Sequence, residues 1–538
     1  MKKTPLTKII ALLLILAMML SLAVACGGSE TTTETPVTTT PVESTEAPQT
    51  TETPTVTEAP QTTEQPAVTE PEVTTTATSL ELAYPTQLNG IKDKVEDNAV
   101  QFIYIEAEDG IYTAKSLWAD EENDPFLDAV DQQVIKRNKY IQEDLGVTIE
   151  AFTDYSLGIA GLYNFAKSFF DVQDPGVDVY CGFQYFDLQV ALTGNILNLN
   201  TIVNDNNETI IDIEQPYWAT NYINSITYND HLYWVTGDVS LRYTGGLYCT
   251  YVNLDLYDKY VKSSYENKSI YDIVNEKKWT MQTMLDMAEL VYEDTDDNSK
   301  ASTGDRLGIV CRTGDIIDGL AFGCKINFST ADKDSIAITL HTDERANKLA
   351  GYVQTMFSSK FSYEASYTNM LSIFAQGNSL FTFEKLYSSS SDLGAMERLA
   401  IVPTPLLDES QDDYGSGTND GLSIFGISRY SNCPIASAAT LELMAYYGYH
   451  FVTPAYVESF LKGSETVRDP ESAAMIDKIR AGLNADFAAA WSNNLNGISL
   501  IFRKDNVKSY STIIQNNSKT WPSMLTKLLN DIEAADAQ

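Results

Sequence analysis

The chain has 538 residues, and its 36 Lys+Arg against 74 Asp+Glu give a formal net charge of -38 with 43% hydrophobic residues. That shortage of cations argues against a protein that tracks nucleic-acid phosphates, whose affinity is supplied by Lys and Arg. An anionic membrane surface would repel it as well. The length calls for more than one folding unit around a core of ordinary size.

At the N-terminus, Lys2, Lys3 and Lys8 flank the start of an uncharged run, Ile9–Leu22. A comfortable membrane span needs about 20 apolar residues, whereas the apolar part of an export signal needs about 7–15. An export signal is therefore the reading, with an uncleaved anchor as its rival. Ala23-Val24-Ala25-Cys26-Gly27-Gly28 resembles the bacterial lipobox, with the usual Leu one place early at Leu22. The resemblance implies that residues 1–26 form a lipoprotein signal peptide and that Cys26 carries the lipid, palmitate included. The protein would then be anchored on the extracellular face of a cell membrane in a Gram-positive type of bacterium.

Residues 27–78 change character. Glu30–Thr78 holds Thr, Pro, Glu and Val without Lys, Arg or an aromatic residue, and TEAPQTTE occurs at both Thr45–Glu52 and Thr57–Glu64. Such a segment buries no core and reads as a disordered, extended tether. A glycosylated stalk is the alternative. Without the three signal lysines and nine tether glutamates, the body has 33 basic and 65 acidic residues, a charge of -32.

From about Leu80, strand-like and helix-like segments alternate. Gln101–Ile105 reads as an apolar strand. Asp124-Pro125 reads as the cap and first residue of a helix, with Phe126, Val130, Val134, Ile141 and Leu145 at helical spacing and Gly146 as its stop. Val147–Phe152, a helix around Ala160–Phe170 and a strand at Val177–Gly182 complete a βαβαβ order, which calls for a parallel sheet covered by helices. Gly246–Asn253 is strand-like. Trp279-Thr280 opens a helix with Met281, Met284, Leu285, Ala288, Val291 and Tyr292 on one face. Ser379–Phe383 and Leu422–Ile427 are further strands, and Ala400–Pro405 is too proline-rich for a central one. Two α/β lobes fit this pattern.

His231, His341 and His450 are far apart, and neither a G-x-S-x-G elbow nor a phosphate-binding G-x-x-x-x-G-K-[ST] loop occurs. A glycosidase needs only two carboxylates, so 65 acids give any particular pair no weight, and no catalytic residue is nominated. Besides Cys26, Cys181, Cys249, Cys311, Cys324 and Cys433 make an odd set without metal-type spacing. They read mainly as buried thiols, with a Cys311–Cys324 disulfide as an option. Asp294, Asp296 and Asn298 stand at positions 1, 3 and 5 of a calcium loop, but Ser299 replaces the Gly and Asp305 the bidentate Glu. A solvated acidic loop is preferred over calcium, and no cofactor is expected.

Several stretches in order carry a family resemblance: Arg137-Asn138-Lys139-Tyr140-Ile141 with Leu145-Gly146-Val147; Asp178-Val179-Tyr180; Leu197–Asn200; Pro216-Tyr217-Trp218; and His231-Leu232-Tyr233 with Gly237-Asp238-Val239-Ser240. Trp279-Thr280, Ile401–Pro405, Gln411–Tyr414, Thr453–Tyr456 and Asp469–Ile476 follow. Across Arg137–Ile476 the chain resembles the extracellular solute-binding proteins of ABC importers, specifically the clostridial-type sugar binders of the maltose-binding-like group (family 1 type). It departs from them at Met281-Gln282 and at Pro403-Thr404-Pro405. The resemblance implies an α/β, two-lobed periplasmic-binding-protein-like (type II) fold with a hinge and an inter-lobe cleft. One lobe is placed at 80–243 plus 377–445 and the other at 244–376 plus 446–538.

The function so implied is capture of a carbohydrate and its delivery to the transmembrane permease subunits of an ABC transporter, by a monomer without catalytic activity. A peptide or cationic solute is the alternative, and a surface carbohydrate-active enzyme or adhesin the third reading. Sugar recognition needs flat apolar faces and groups that exchange hydrogen bonds with hydroxyls. A cleft beyond the carboxyl ends of strands and near the crossings points to Trp118, Tyr185, Asp238, Tyr243, Glu384, Tyr387 and Trp491 as ligand contacts. Trp218 and Trp279 read as structural.

Overall fold

A computed structural model of the chain describes residues 82–537, apart from 96, 105–116, 118, 120–126, 154–163, 165–166, 313, 333–334, 390–392, 419–421 and 462–469. The signal, lipobox, tether, Trp118 and the expected helix start at Asp124–Phe126 lie outside the described residues. Ser79–Gln538 forms one unit by its internal contacts.

The first sheet is built from β1 (Ala99–Tyr104), β2 (Thr148–Thr153), β3 (Val179–Phe183) and β11 (Ser423–Ile427) in the order β11-β3-β1-β2. β1 runs parallel to both β2 and β3, so the βαβαβ expectation holds, while β11 is antiparallel to β3 with Phe425 opposite Cys181. The connecting helix Ala129–Leu145 buries Val130, Val134, Ile141 and Leu145. Asp128 caps its start, accepting from the amides of Val130 (2.8 Å) and Asp131 (3.0 Å), and Gly146 ends it at φ 71°. Helical backbone also appears at 167–171.

The second sheet contains β4 (Tyr248–Asn253), β5 (Leu307–Cys311), β8 (Ser362–Glu364), β9 (Ser379–Lys385) and β10 (Leu399–Val402) in the order β10-β4-β9-β5-β8. Beside it, β6 (Ser329–Asp332) and β7 (Ser335–Ile338) pair as a hairpin. β5 is parallel to β8 and β9, whereas β4 is antiparallel to β9 and β10. β10 is an edge strand, which accommodates Pro403 and Pro405 directly after it. Thr280 caps the helix Met281–Val291. Trp279 is buried on Phe381, with ring centroids 5.2 Å apart, and its indole donates to the Pro403 carbonyl at 2.8 Å.

The strand pairing corrects one boundary. β9 and β10, within the stretch 377–445 expected with the first lobe, belong to the second sheet, because β4 takes both as neighbours. The chain returns to the first sheet only at β11. It therefore passes between the sheets at 236–247, between β10 and β11, and again after the helix Pro434–Tyr447, which packs on β1 and β11. Cys181, Cys249, Cys311 and Cys324 are buried free thiols and Cys433 is half-buried, so Cys311 and Cys324 are not bridged. Burial pushes both of those thiols up to about 12.

Glu442, buried in the Pro434–Tyr447 helix, holds that helix to the 210–218 segment. One oxygen accepts from Tyr217 Oη (2.5 Å) and Gln87 Nε2 (2.9 Å), the other from Trp218 Nε1 (2.9 Å) and the Asp212 amide (3.2 Å). Burial nevertheless pushes its carboxyl up to about 7 from an ordinary 4.5, against the pull of those donors. A raised carboxyl favours folding most below pH 4.5, and that contribution is lost as pH rises through 7. Glu442→Gln keeps the shape without the charge. Its stability relative to wild type is expected to rise by about 1–3 kcal/mol between pH 5 and pH 8, measured by denaturant unfolding at each pH.

Candidate functional site

The carboxyl ends of the parallel strands set the candidate region, since open α/β sheets bind ligands there. β3 ends on Phe183, after which Gln184 and Asp187 are buried and Tyr185 is half-buried. Burial pushes Asp187 up to about 6, although it accepts from Tyr180 Oη (2.8 Å) and the Phe183 amide (2.7 Å); it closes the turn after the strand. The Tyr185 ring meets Phe186 edge-on at 4.9 Å, and its carbonyl accepts from Asn493 Nδ2. In the second sheet β9 ends in Glu384 and Lys385, both buried, and Tyr387 lies on the turn Leu386–Ser389. Three cations sit over rings at these ends: Arg242 over Phe183 (5.0 Å), Lys385 over Tyr248 (5.6 Å) and Arg312 over Tyr367 (5.1 Å).

The first and third crossings pack on each other where the sheets join. Gly237 lies against the backbone of Tyr217 and Trp218, where a Cβ would stand 2.3 Å from the Tyr217 carbonyl oxygen. The next residue, Asp238, donates its amide to that oxygen at 2.9 Å. Its carboxylate accepts from Thr453 Oγ1 of the third crossing at 2.6 Å. Burial pushes the Asp238 carboxyl up to about 6, against the pull of Arg480 and of Thr453. Burial and the neighbouring Asp238 push the Tyr243 hydroxyl up to about 12, with Arg480 opposing.

Asp238 and Tyr243 line a cavity of about 280 Å³ together with Thr244, Leu247, Tyr449, Asp477 and Arg480, whose Nε donates to Thr244 Oγ1 at 3.2 Å. A polar groove of about 640 Å³ continues past Ala481 and is lined by Asn221, Lys325, Asp413, Lys478 and Asn484 among others.

Of the expected ligand contacts, the structure brings Asp238 and Tyr243 into one cavity. The helix Arg242–Gly245 touches the turn that carries Tyr387, and the Leu386 amide donates to the Leu247 carbonyl at 2.9 Å. Glu384 is wholly buried, with one carboxylate oxygen on the Lys385 amide. Trp491 is a core residue, 2% exposed, its indole donating to the Ile226 carbonyl at 3.3 Å. Thr453 against Asp238, and Tyr449 and Arg480 in the cavity, are not among the residues the sequence points to. Thr453 stood in the resembling stretch Thr453–Tyr456, and a Gly at 448 inside the aromatic run Tyr446–Phe451 was the available signal of a close backbone approach.

Elsewhere, Asp294, Asp296 and Asp305 bring carboxylate oxygens within 4.8 Å of one another. They accept from the loop's own amides, among them Ser299 (to Asp294, 2.8 Å), Asn298 (to Asp296, 3.1 Å) and Ser302 (to Asp305, 2.7 Å).

A Cβ at Gly448 would lie 2.0 Å from the Asp238 carbonyl oxygen, with backbone on both sides. Gly448→Ala is therefore expected to cost about 1–3 kcal/mol, read as a lowered Tm.

No family model matches the chain, and no curated protein does. Among solved structures it is similar to an ABC substrate-binding protein from Listeria monocytogenes in complex with cycloalternan, at 10% identity over 80% of this chain and 99% of that one, with a TM-score of 0.50. It is also similar to an ABC transporter associated binding protein from Bifidobacterium animalis subsp. lactis in complex with beta-1,6-galactobiose (11%, 81% and 98%, 0.49). A third is the galacto-N-biose-/lacto-N-biose I-binding protein from Bifidobacterium longum in complex with lacto-N-biose (11%, 79% and 97%, 0.49). At these identities the likeness to the first of them shows the fold: the chain has the two-lobed α/β architecture of periplasmic-binding-protein-like proteins.

Proposed function

We propose that this protein is a non-catalytic solute receptor that captures a sugar or oligosaccharide between its lobes and hands it to the permease subunits of an ABC importer. The observation that carries the reading is the pair of sheets joined by three chain crossings, an arrangement suited to hinge closure around a ligand. The sugars bound by proteins of this fold support a carbohydrate as the solute, as does a chain with 31 Tyr and 6 Trp. No cofactor is required, and a monomer suffices.

Membership of the clostridial sugar-binding subgroup of the maltose-binding-like proteins is part of the proposal, as is anchorage on the extracellular face by a lipid on Cys26. Among the described residues no helix is long and apolar enough to cross a membrane. Cys26→Ser is expected to abolish incorporation of labelled palmitate and to release the protein into the culture medium. Retention of both label and membrane association would remove the lipid anchor from the reading.

A thermal-shift screen against mono- and oligosaccharides, peptides and polyamines tests the solute class. The expected result is stabilisation by saccharides alone. At a ligand concentration of 100 Kd the stability gain is about 2.7 kcal/mol. Stabilisation only by peptides or polyamines would replace sugar with the other solute class, and release of reducing ends from a polysaccharide would replace the receptor with an enzyme.

A further inference from the structure

We infer that the polar groove beside the Asp238 cavity selects a saccharide carrying an anionic group, a carboxylate or a sulfate, and that Lys325 and Lys478 are the residues that select it. The inference deepens the receptor reading above and rests on it.

A close backbone approach builds the groove. The helix Pro470–Ala481 ends at Gly482, where a Cβ would stand 2.8 Å from the Tyr414 carbonyl oxygen. With no Cβ there, the chain beyond the helix lies along the segment between β10 and β11. The Ser416 amide donates to the Gly482 carbonyl at 2.8 Å, and the Asn484 amide to the Ser416 carbonyl at 2.9 Å. Lys325 follows the helix Asp315–Gly323, with its stem beside Gly415, and Lys478 stands in the last turn of Pro470–Ala481. Asn221 comes from the first-lobe helix Thr220–Ile226, so the groove of about 640 Å³ borders both lobes. That size suits a small ligand.

The polar side chains of the groove are uncommitted. In a body with about twice as many acids as bases, lysines near this region find acids: Lys348 pairs with Asp408, and Lys278 with Glu409. Lys325 and Lys478 have no partner among the described residues, and neither do the side-chain amides of Asn221, Asn275 and Asn484. The carboxylate in the lining, Asp413, accepts from the Tyr414 amide at 2.9 Å. The helix-end carbonyls are also taken: the Gly482 amide donates to those of Lys478 and Ile479, both at 3.1 Å, and Ser416 Oγ to that of Ile479 at 2.6 Å. The adjoining cavity sets Arg480 beside Asp238 and Asp477, so the surplus of cations, two against one carboxylate, lies in the groove alone.

The aromatic residue of the lining, Tyr414, is 2% exposed with its hydroxyl on the Val274 carbonyl at 3.0 Å. It offers no ring face for a neutral pyranose to stack on. Discrimination must then come from charge and hydrogen bonds: the amides exchange hydrogen bonds with hydroxyls, and the ammonium groups meet the anionic substituent. A lysine is a point charge without the fixed fork of arginine, so carboxylate and sulfate are both accepted.

The test is titration calorimetry of the full chain with uronate oligosaccharides, sulfated oligosaccharides and their neutral counterparts. An anionic ligand of either kind is expected to bind at least about tenfold tighter than its neutral counterpart, and which of the two binds identifies the substituent. Lys325→Met and Lys478→Met keep the apolar stem and remove the charge. Each is expected to lower that affinity about tenfold while leaving neutral ligands and ligand-free melting unchanged. The control Lys527→Met, whose partner Asp531 lies on the same helix, is expected to change nothing. Equal affinity for neutral and anionic ligands, or anionic binding that neither groove variant weakens, overturns the inference and leaves the sugar receptor standing. Binding of no saccharide overturns both.

Discussion

The packing of the first crossing on the third is the constraint on which the rest of the molecule depends. Gly448 admits the Asp238 carbonyl at a distance that no Cβ would allow, and Gly245 does the same for the Tyr456 hydroxyl. The Asp238 carboxylate takes its hydrogen bond from Thr453 in the gap between them. Because the two sheets are separate hydrogen-bonded systems, their mutual position is set by these joining segments and by side-chain packing, not by strand pairing. Anything that binds between the sheets is therefore positioned by this seam.

Acidity is expressed differently at the surface and inside. Most of the acids are solvated, but Asp187, Asp238 and Glu442 are buried and pushed upward by desolvation despite good donors. Each joins elements distant in sequence or closes a turn. The first-lobe segment 210–218 meets the Pro434–Tyr447 helix on Glu442 through three donors, with Gln87 as a fourth, and on Tyr446 through the Tyr217 ring, and that helix leads directly into the third crossing.

Much of the fold could be read from local patterns. The apolar runs at Gln101–Ile105 and Val177–Gly182 became β1 and β3 within a residue or two, because central parallel strands need largely continuous apolar sequence, and the alternating Val147–Phe152 became the edge strand β2. Gly146 ended its helix in the left-handed conformation, as a helix stop should. The site was less legible. Trp491 has the chemistry of a sugar platform yet fills the core against Ile226, since a large ring is equally suited to either use. Asp238 and Tyr243 share a cavity with Arg480, more than 230 residues away in the chain, and no local spacing announces such a meeting.

By itself the amino-acid sequence determined the order of strands and helices, the acidic charge of the body and the break in composition between residues 27–78 and the body, because these follow from local periodicity and from residue counts. Which sheet each later strand joined was decided only in three dimensions. β9 and β10 look no different from strands of the first lobe, but β4 offers them two antiparallel edges, and backbone hydrogen bonding across a sheet carries no sequence label. The same holds for the C-terminal segment, whose Asp536 is an unremarkable acid until the fold places it against His231 and Tyr233 of the other lobe.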